Sequence, residues 1–96
     1  MNTQDARYLS ASLRGDSMPT VDLHTASSPG DADMQLEKAL FFFVSHHEQA
    51  CRVVHGIGEG VLTKMVHRVL TKNPLVEDFQ LSADGGSTIV LLGSIR

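Results

Sequence analysis

The sequence predicts an α/β fold, with strands and helices in the order β-α-β-α-β-β. Three observations predict it. Short runs rich in Val, Ile, Thr and Leu recur at Thr20–His24, Ala50–His55, Val76–Leu81 and Ser87–Leu92. Between the first three runs lie two stretches whose apolar residues recur at helical spacing. Asp84-Gly85-Gly86, a turn signal, joins the last two runs as a hairpin.

Residues 1–17 mix polar residues with isolated Tyr8, Leu9 and Leu13 and show no strong period. They read as a loosely attached, partly flexible arm, with a turn or short strand where Tyr8-Leu9 docks, ahead of a domain over residues 18–96. Pro19 sits at the tolerated edge of the first strand. Alternation sends Val21 and Leu23 to one face and Asp22 and His24 to the other. Residues 25–30 have loop composition, and Asp31 or Asp33 is placed to cap a helix from Met34 to about His47. In it Leu36, Leu40, Phe43 and Val44 fall on one side, and Phe41 and Phe42 widen the arc, which predicts burial on more than one side or contact with another segment. His46 and His47 suit the helix's C-terminal end, where the dipole favours positive charge.

The run Ala50–His55 reads as a buried strand, and Cys51 as a small buried hydrophobe within it. Leu62, Met65, Val66, Val69 and Leu70 trace the apolar side of a helix from Val61 that ends near Asn73, because Pro74 restricts its predecessor. No internal repeat is visible.

Bulk composition narrows the function. At 96 residues and 42% hydrophobic the chain makes one globular domain. Its formal charge of −3 supplies no global basic field for nonspecific nucleic-acid binding, though local patches remain open. One cysteine excludes an intrachain disulfide and any multi-cysteine zinc site. No apolar stretch is long enough to span a bilayer and no signal-peptide core is present, so a cytoplasmic protein with no membrane partner is expected.

The site follows from the order of elements. A strand–helix–strand unit makes a parallel pair, and ligands of such units bind beyond the strands' carboxyl ends. His24 ends the first strand and His55 the second. Directly after His55, Gly56, Gly58 and Gly60 form a turn that brings backbone N–H groups toward a ligand and feeds a helix N-terminus suited to anions. Asp22, His24, His55 and the glycine loop are therefore expected at one sheet edge.

Two of these segments match a known family. Val21-Asp22-Leu23-His24 resembles the Leu-Asp-x-His motif of Smr (small MutS-related) domains, and His55-Gly56-Ile57-Gly58-Glu59-Gly60-Val61-Leu62 resembles their His-Gly-x-Gly-x-Gly-x-Leu motif. Gly85-Gly86-Ser87-Thr88-Ile89-Val90 is similar to the family's glycine turn and final strand, so the likeness covers residues 18–93. The resemblance implies a two-layer α+β sandwich, two helices on a mixed four-stranded sheet. It also implies nucleic-acid binding, with endonuclease or nickase activity on DNA or RNA. Thr25 replaces the glycine usual after the first histidine, and a slightly longer loop follows. Ile57 occupies an often basic position, and Glu59 brings a charge that repels phosphate.

Under that reading Asp22 orients an imidazole, and His24 and His55 share acid–base work on a phosphodiester. Gly56, Gly58 and Gly60 contact phosphate. Lys64, Arg68 and Lys72 form a stripe, with His67 alongside, that tracks a nucleic-acid backbone. Asp22, His24 and His55 are also ordinary ligands for a divalent metal such as Mg or Mn, although their spacing demands none. Three bland readings stand beside these: Asp22 capping a backbone N–H at the strand end, the two histidines pinning the strands together, and the Lys64, Arg68 and Lys72 stripe as a solvated helix face. The alternative function is a non-catalytic nucleic-acid-binding or protein-interaction module. In it the Phe41-Phe42-Phe43 arc or an uncovered sheet face mediates association, a homo-oligomer included.

Overall fold

The computed structural model describes residues 2–58 and 60–93. The strands are β1 (Thr20–Asp22), β2 (Ala50–Val54), β3 (Val76–Leu81) and β4 (Ser87–Leu92); the helices are α1 (Thr3–Leu13), α2 (Pro29–Ser45) and α3 (Val61–Lys72). In space the strands run β1-β2-β4-β3, with β1 parallel to β2 and the other neighbours antiparallel. The expected mixed four-stranded sheet and β-α-β-α-β-β order are therefore present, with one helix added in front.

Register decides what faces the core. Val21 lies opposite Val53, and Val53 opposite Thr88, so these side chains share the sheet face that α2 and α3 cover. Helix α2 presents Ala32, Leu36, Leu40 and Val44 to it, every fourth residue, and α3 presents Met65, Val66 and Leu70. Leu23, Cys51, Val53, Val90 and Leu92 complete this cluster from the sheet side. Each fully buried leucine there contributes about 1.5–3 kcal/mol through removal of apolar surface from water.

Helix α2 begins earlier than expected. Ser28 is its N-cap, accepting the Asp31 N–H at 3.1 Å, and Pro29 takes the first helical position, where a missing N–H costs nothing. The residues with loop composition thus include the helix's own start signal. Phe41 and Phe42 are a second correction: they are 61% and 57% exposed, because the four-residue periodicity of the buried side turns them outward. Phe42 stacks on His46 at the surface, and only Phe43 packs against the core.

The N-terminal segment forms α1 rather than a turn or short strand. Asn2 accepts the Asp5 N–H at 2.8 Å while Asp5 reaches back to the Asn2 N–H, a capping box. On the second sheet face Ala11 and Met18 pack with Ala50 and Leu91, with Tyr8 and Ile89 alongside. Tyr8 donates its hydroxyl to Asp78 at 2.9 Å, and Arg7 pairs with Glu77 and donates to the Leu92 carbonyl. Helix α1 covers one end of this face. The remainder is an open groove floored by Arg52, Val54, Gln80, Ser87 and Ile89, with His24, Gly56 and Ile57 at its margin. No helix among the described residues is long and apolar enough to cross a membrane.

Candidate functional site

Strand β1 ends at Asp22, which lies opposite Val54 in the parallel register and so points to the open face. The chain turns at Leu23, whose buried side chain anchors it and whose N–H donates to the Val54 carbonyl at 2.8 Å. This anchor holds Asp22 and His24 side by side. Asp22 Oδ1 accepts the His24 backbone N–H at 3.0 Å and also engages the His24 ring through Nδ1. The carboxylate thus both caps the turn and orients the imidazole. Hydrogen bonding from the ring, then from the backbone N–H, holds the Asp22 pKa below its ordinary value. A carboxylate accepts only, so Nδ1 of the neutral ring carries the proton and Nε2 presents a lone pair. Both side chains are about half exposed, at 58% for His24 and 49% for Asp22.

The glycine loop lies beside this pair. Gly56 sits so close to His24 that an added Cβ would stand 4.0 Å from the His24 Cβ. Its φ of 79°, with 38° at Gly58 and 82° at Gly60, is in the left-handed range that side chains disfavour. The Gly86 carbonyl in the β3–β4 turn accepts the N–H groups of both His55 and Gly56, at 3.1 and 2.9 Å, which pins the loop's start to the hairpin. Gly60 is the N-cap of α3 and supplies no side-chain cap. Glu59 lies outside the described residues.

His55 goes the other way. It is 4% exposed and turned to the helix-covered face. Its Nε2 lies 2.9 Å from the Thr88 hydroxyl, and its Nδ1 lies 2.9 Å from both the Gly56 carbonyl and the Thr63 hydroxyl. His67 on α3 places Nε2 2.8 Å from the same Thr88 hydroxyl, and its pKa is held below the ordinary value by burial, then by neighbouring His55. The anticipated gathering of three side chains therefore splits. Asp22, His24 and the loop backbone meet on one side, while the His55 imidazole is enclosed on the other. The reason is strand alternation: His55 follows Val54, which shares a face with Asp22, so His55 takes the opposite one.

The split bears on metal binding. Asp22 and His24 spend ligand atoms on each other, and His55 faces away, so the three do not form a donor set for Mg or Mn. Among the described residues no three His, Cys, Asp or Glu side chains converge in that way.

Lys64, Arg68 and Lys72 lie exposed along α3, which starts at the glycine loop, and join no ion pair among the described residues. Arg52, which no sequence motif marks, stands half-buried on the groove floor; the Asp84 carboxyl beside it is held below its ordinary pKa by hydrogen bonds from the Ser82 hydroxyl and the Gly86 N–H, with the Arg52 charge a smaller contribution. Thr88 was also missed. Alternation with Val90 and Leu92 puts its hydroxyl at a core position, and a polar group there signals a buried partner.

Comparison with known proteins bears on the family and the fold. The family model described as Smr domain matches residues 21–93. The chain is 32% identical over 91 residues to the ribosome rescue factor SmrB of Shewanella sp. (strain W3-18-1), covering 92% of this chain and 51% of that protein. The SmrB of Shewanella oneidensis matches with the same identity and coverage. The chain thus spans about half the length of the curated relatives it matches. The crystal structure of the Smr domain of Thermus thermophilus MutS2 superposes with a TM-score of 0.74 at 26% identity, over 79% of this chain and 99% of that one. Motifs, sheet order and family match coincide over the same residues, and the chain belongs to the Smr domain family.

Proposed function

We propose that this domain binds nucleic acid across the edge formed by the glycine loop and the start of α3, and cleaves a phosphodiester bond there. One observation carries the reading: an exposed imidazole, His24, is oriented by a carboxylate, Asp22, beside a glycine loop with open space around Gly58 and Gly60, the Gly56 N–H being taken by Gly86. In this reading His24 Nε2 takes the proton from the attacking oxygen, a water or an RNA 2′-hydroxyl, as that oxygen bonds to phosphorus. The bond to the leaving oxygen breaks, and that oxygen takes its proton from water. Asp22 stabilises the imidazolium as it forms. His55 shapes the loop from within and does not touch substrate. The curated relatives are named ribosome rescue factors, which directs the proposal toward RNA in a cytoplasmic setting.

Lys64, Arg68 and Lys72 support it as phosphate contacts along the helix leaving the loop. Each contact with a single strand adds about −0.7 to the slope of log affinity against log salt. The test is binding and cleavage of labelled single- and double-stranded RNA and DNA over a salt series, with Mg, Mn or a chelator. The proposal expects salt-dependent binding that flattens by roughly one phosphate's worth for each Lys or Arg changed to Gln. Absence of binding to all four substrates sinks it.

A second reading, association with a partner protein, rests on exposed Phe41 and Phe42. It expects light scattering or a pull-down to detect assembly that Phe41→Ser with Phe42→Ser abolishes; an inert monomer excludes it.

A further inference from the structure

We propose that Thr88 and His67 are positioning residues, a buried relay that fixes one tautomer of His55 and thereby holds the carbonyl of Gly56 in the glycine loop. Any catalytic consequence of this relay rests on the function proposed above; the relay itself is a property of the free chain.

The polarity of the relay follows from hydrogen-bond roles. The Gly56 carbonyl accepts only, so the 2.9 Å contact requires a proton on His55 Nδ1. A bare nitrogen there would set two lone pairs against each other in a buried site. Thr63 Oγ1, at the same distance from Nδ1, is a second acceptor for that N–H. His55 Nε2 of the neutral ring then carries a lone pair, and Thr88 must donate its hydroxyl hydrogen to it across 2.9 Å. A hydroxyl has one hydrogen. Having given it to His55, Thr88 faces His67 with oxygen lone pairs, so His67 Nε2 donates across 2.8 Å. One loop carbonyl thus dictates the protonation pattern of two histidines and the rotor of a threonine.

The elements joined explain what the relay does. Thr88 is fully buried on β4, His67 and Thr63 come from α3, and His55 and Gly56 lead from β2 into the loop. Phe79 of β3 packs against the His67 ring, with centroids 5.0 Å apart, and limits its rotation. The loop, whose own glycines give it little stiffness, is gripped from below through His55 and at its edge through Gly86.

The test reads the ring nitrogens of the uniformly 15N-labelled chain by long-range 1H–15N correlation, with amide hydrogen exchange at Gly56 to Gly58. At neutral pH the relay expects His55 protonated at Nδ1 and His67 at Nε2. Thr88→Val removes the donor to His55 Nε2 and leaves the Gly56 carbonyl alone to hold the proton on Nδ1, so it should weaken the His55 preference and speed loop exchange by up to about tenfold, the size a single neutral hydrogen bond allows. Thr88→Ser should restore both. His67→Leu should loosen the loop less, and His67→Gln, which keeps a donor at the same reach, should act like the parent. If Thr88→Val fails to fold, the serine and His67 variants decide. A His55 ring protonated at Nε2, or loop exchange and tautomers unchanged by Thr88→Val and His67→Leu, overturns the relay. Nucleic-acid binding is measured separately on the same samples: its absence with the tautomers intact counts against the proposed function alone.

Discussion

Alanine at Gly56 and at Gly30 should move stability in opposite directions, although neither new methyl group is crowded. At Gly56 the added Cβ would meet the His24 Cβ at 4.0 Å, and at Gly30 it would meet Ser28 Oγ at 3.9 Å. Both are ordinary van der Waals separations, so packing does not separate the two sites. Backbone conformation does. Gly56 has φ 79°, and left-handed backbone costs a residue with a Cβ roughly 1–2 kcal/mol. Gly30 occupies the second position of α2, and its φ lies outside that region. Each substitution also restricts the unfolded chain, which stabilises the native state by about 0.4–1 kcal/mol where the conformation is compatible. We therefore expect Gly30→Ala to gain about 0.4–1 kcal/mol, and Gly56→Ala to lose a net amount on the order of 1 kcal/mol. For a domain of this size each 1 kcal/mol moves the melting temperature by about 4–8 °C. Urea titration followed by circular dichroism, with thermal melts alongside, measures both variants. Shifts of the same sign, or a neutral Gly56→Ala, would refute the backbone argument for the loop.

Four further outcomes follow from the packing and the titrating groups. Leu40→Ala removes a fully buried side chain between α2 and the sheet and should cost about 2–5 kcal/mol in urea unfolding. Cys51, whose thiol is pushed up to about 12 by burial and then by Glu48, should resist a thiol reagent in the folded protein at pH 8 and react only on unfolding. Asp22 should titrate below the usual carboxylate range by carbon NMR, and His24→Ala should return it upward; its stabilising effect is present above the unfolded value of about 3.9 and is lost as pH falls through the folded value. His67 has a folded pKa below the unfolded value of about 6.5, so the unfolded chain takes up the proton first. Its contribution is lost as pH falls from there toward the folded value, and His67→Gln should flatten that part of the stability profile.

Much of the architecture was legible because local signals agreed with global ones. Leu36 and Leu40 at helical spacing, Val21 and Leu23 in alternation, and the turn at Asp84-Gly85-Gly86 each point to the element that forms. Helix α1 was not legible, because little of its stability is local. Its apolar residues make no stripe, and it is held by Arg7 and Tyr8 reaching Glu77, Leu92 and Asp78 far along the chain. Its capping box at Asn2 and Asp5 was the available clue, as Ser28-Pro29 was for α2. The site was half legible. Chain order brings Asp22, His24 and the glycine loop together, but the side on which His55 falls depends on register at a strand end. The Thr88 link between two histidines joins residues 21 and 33 positions apart, a pairing that no motif spacing expresses.

In the proposed function His24, held by Asp22 beside the glycine loop, is the acid–base group that cleaves nucleic acid. Single-turnover cleavage of a labelled single-stranded RNA tests it most directly, with His24→Ala and wild type compared at matched, saturating binding. His24→Ala is expected to keep the affinity and to lose cleavage by a factor on the order of 10² to 10⁴, the range for a positioned acid–base group. Equal cleavage by the two proteins would contradict it.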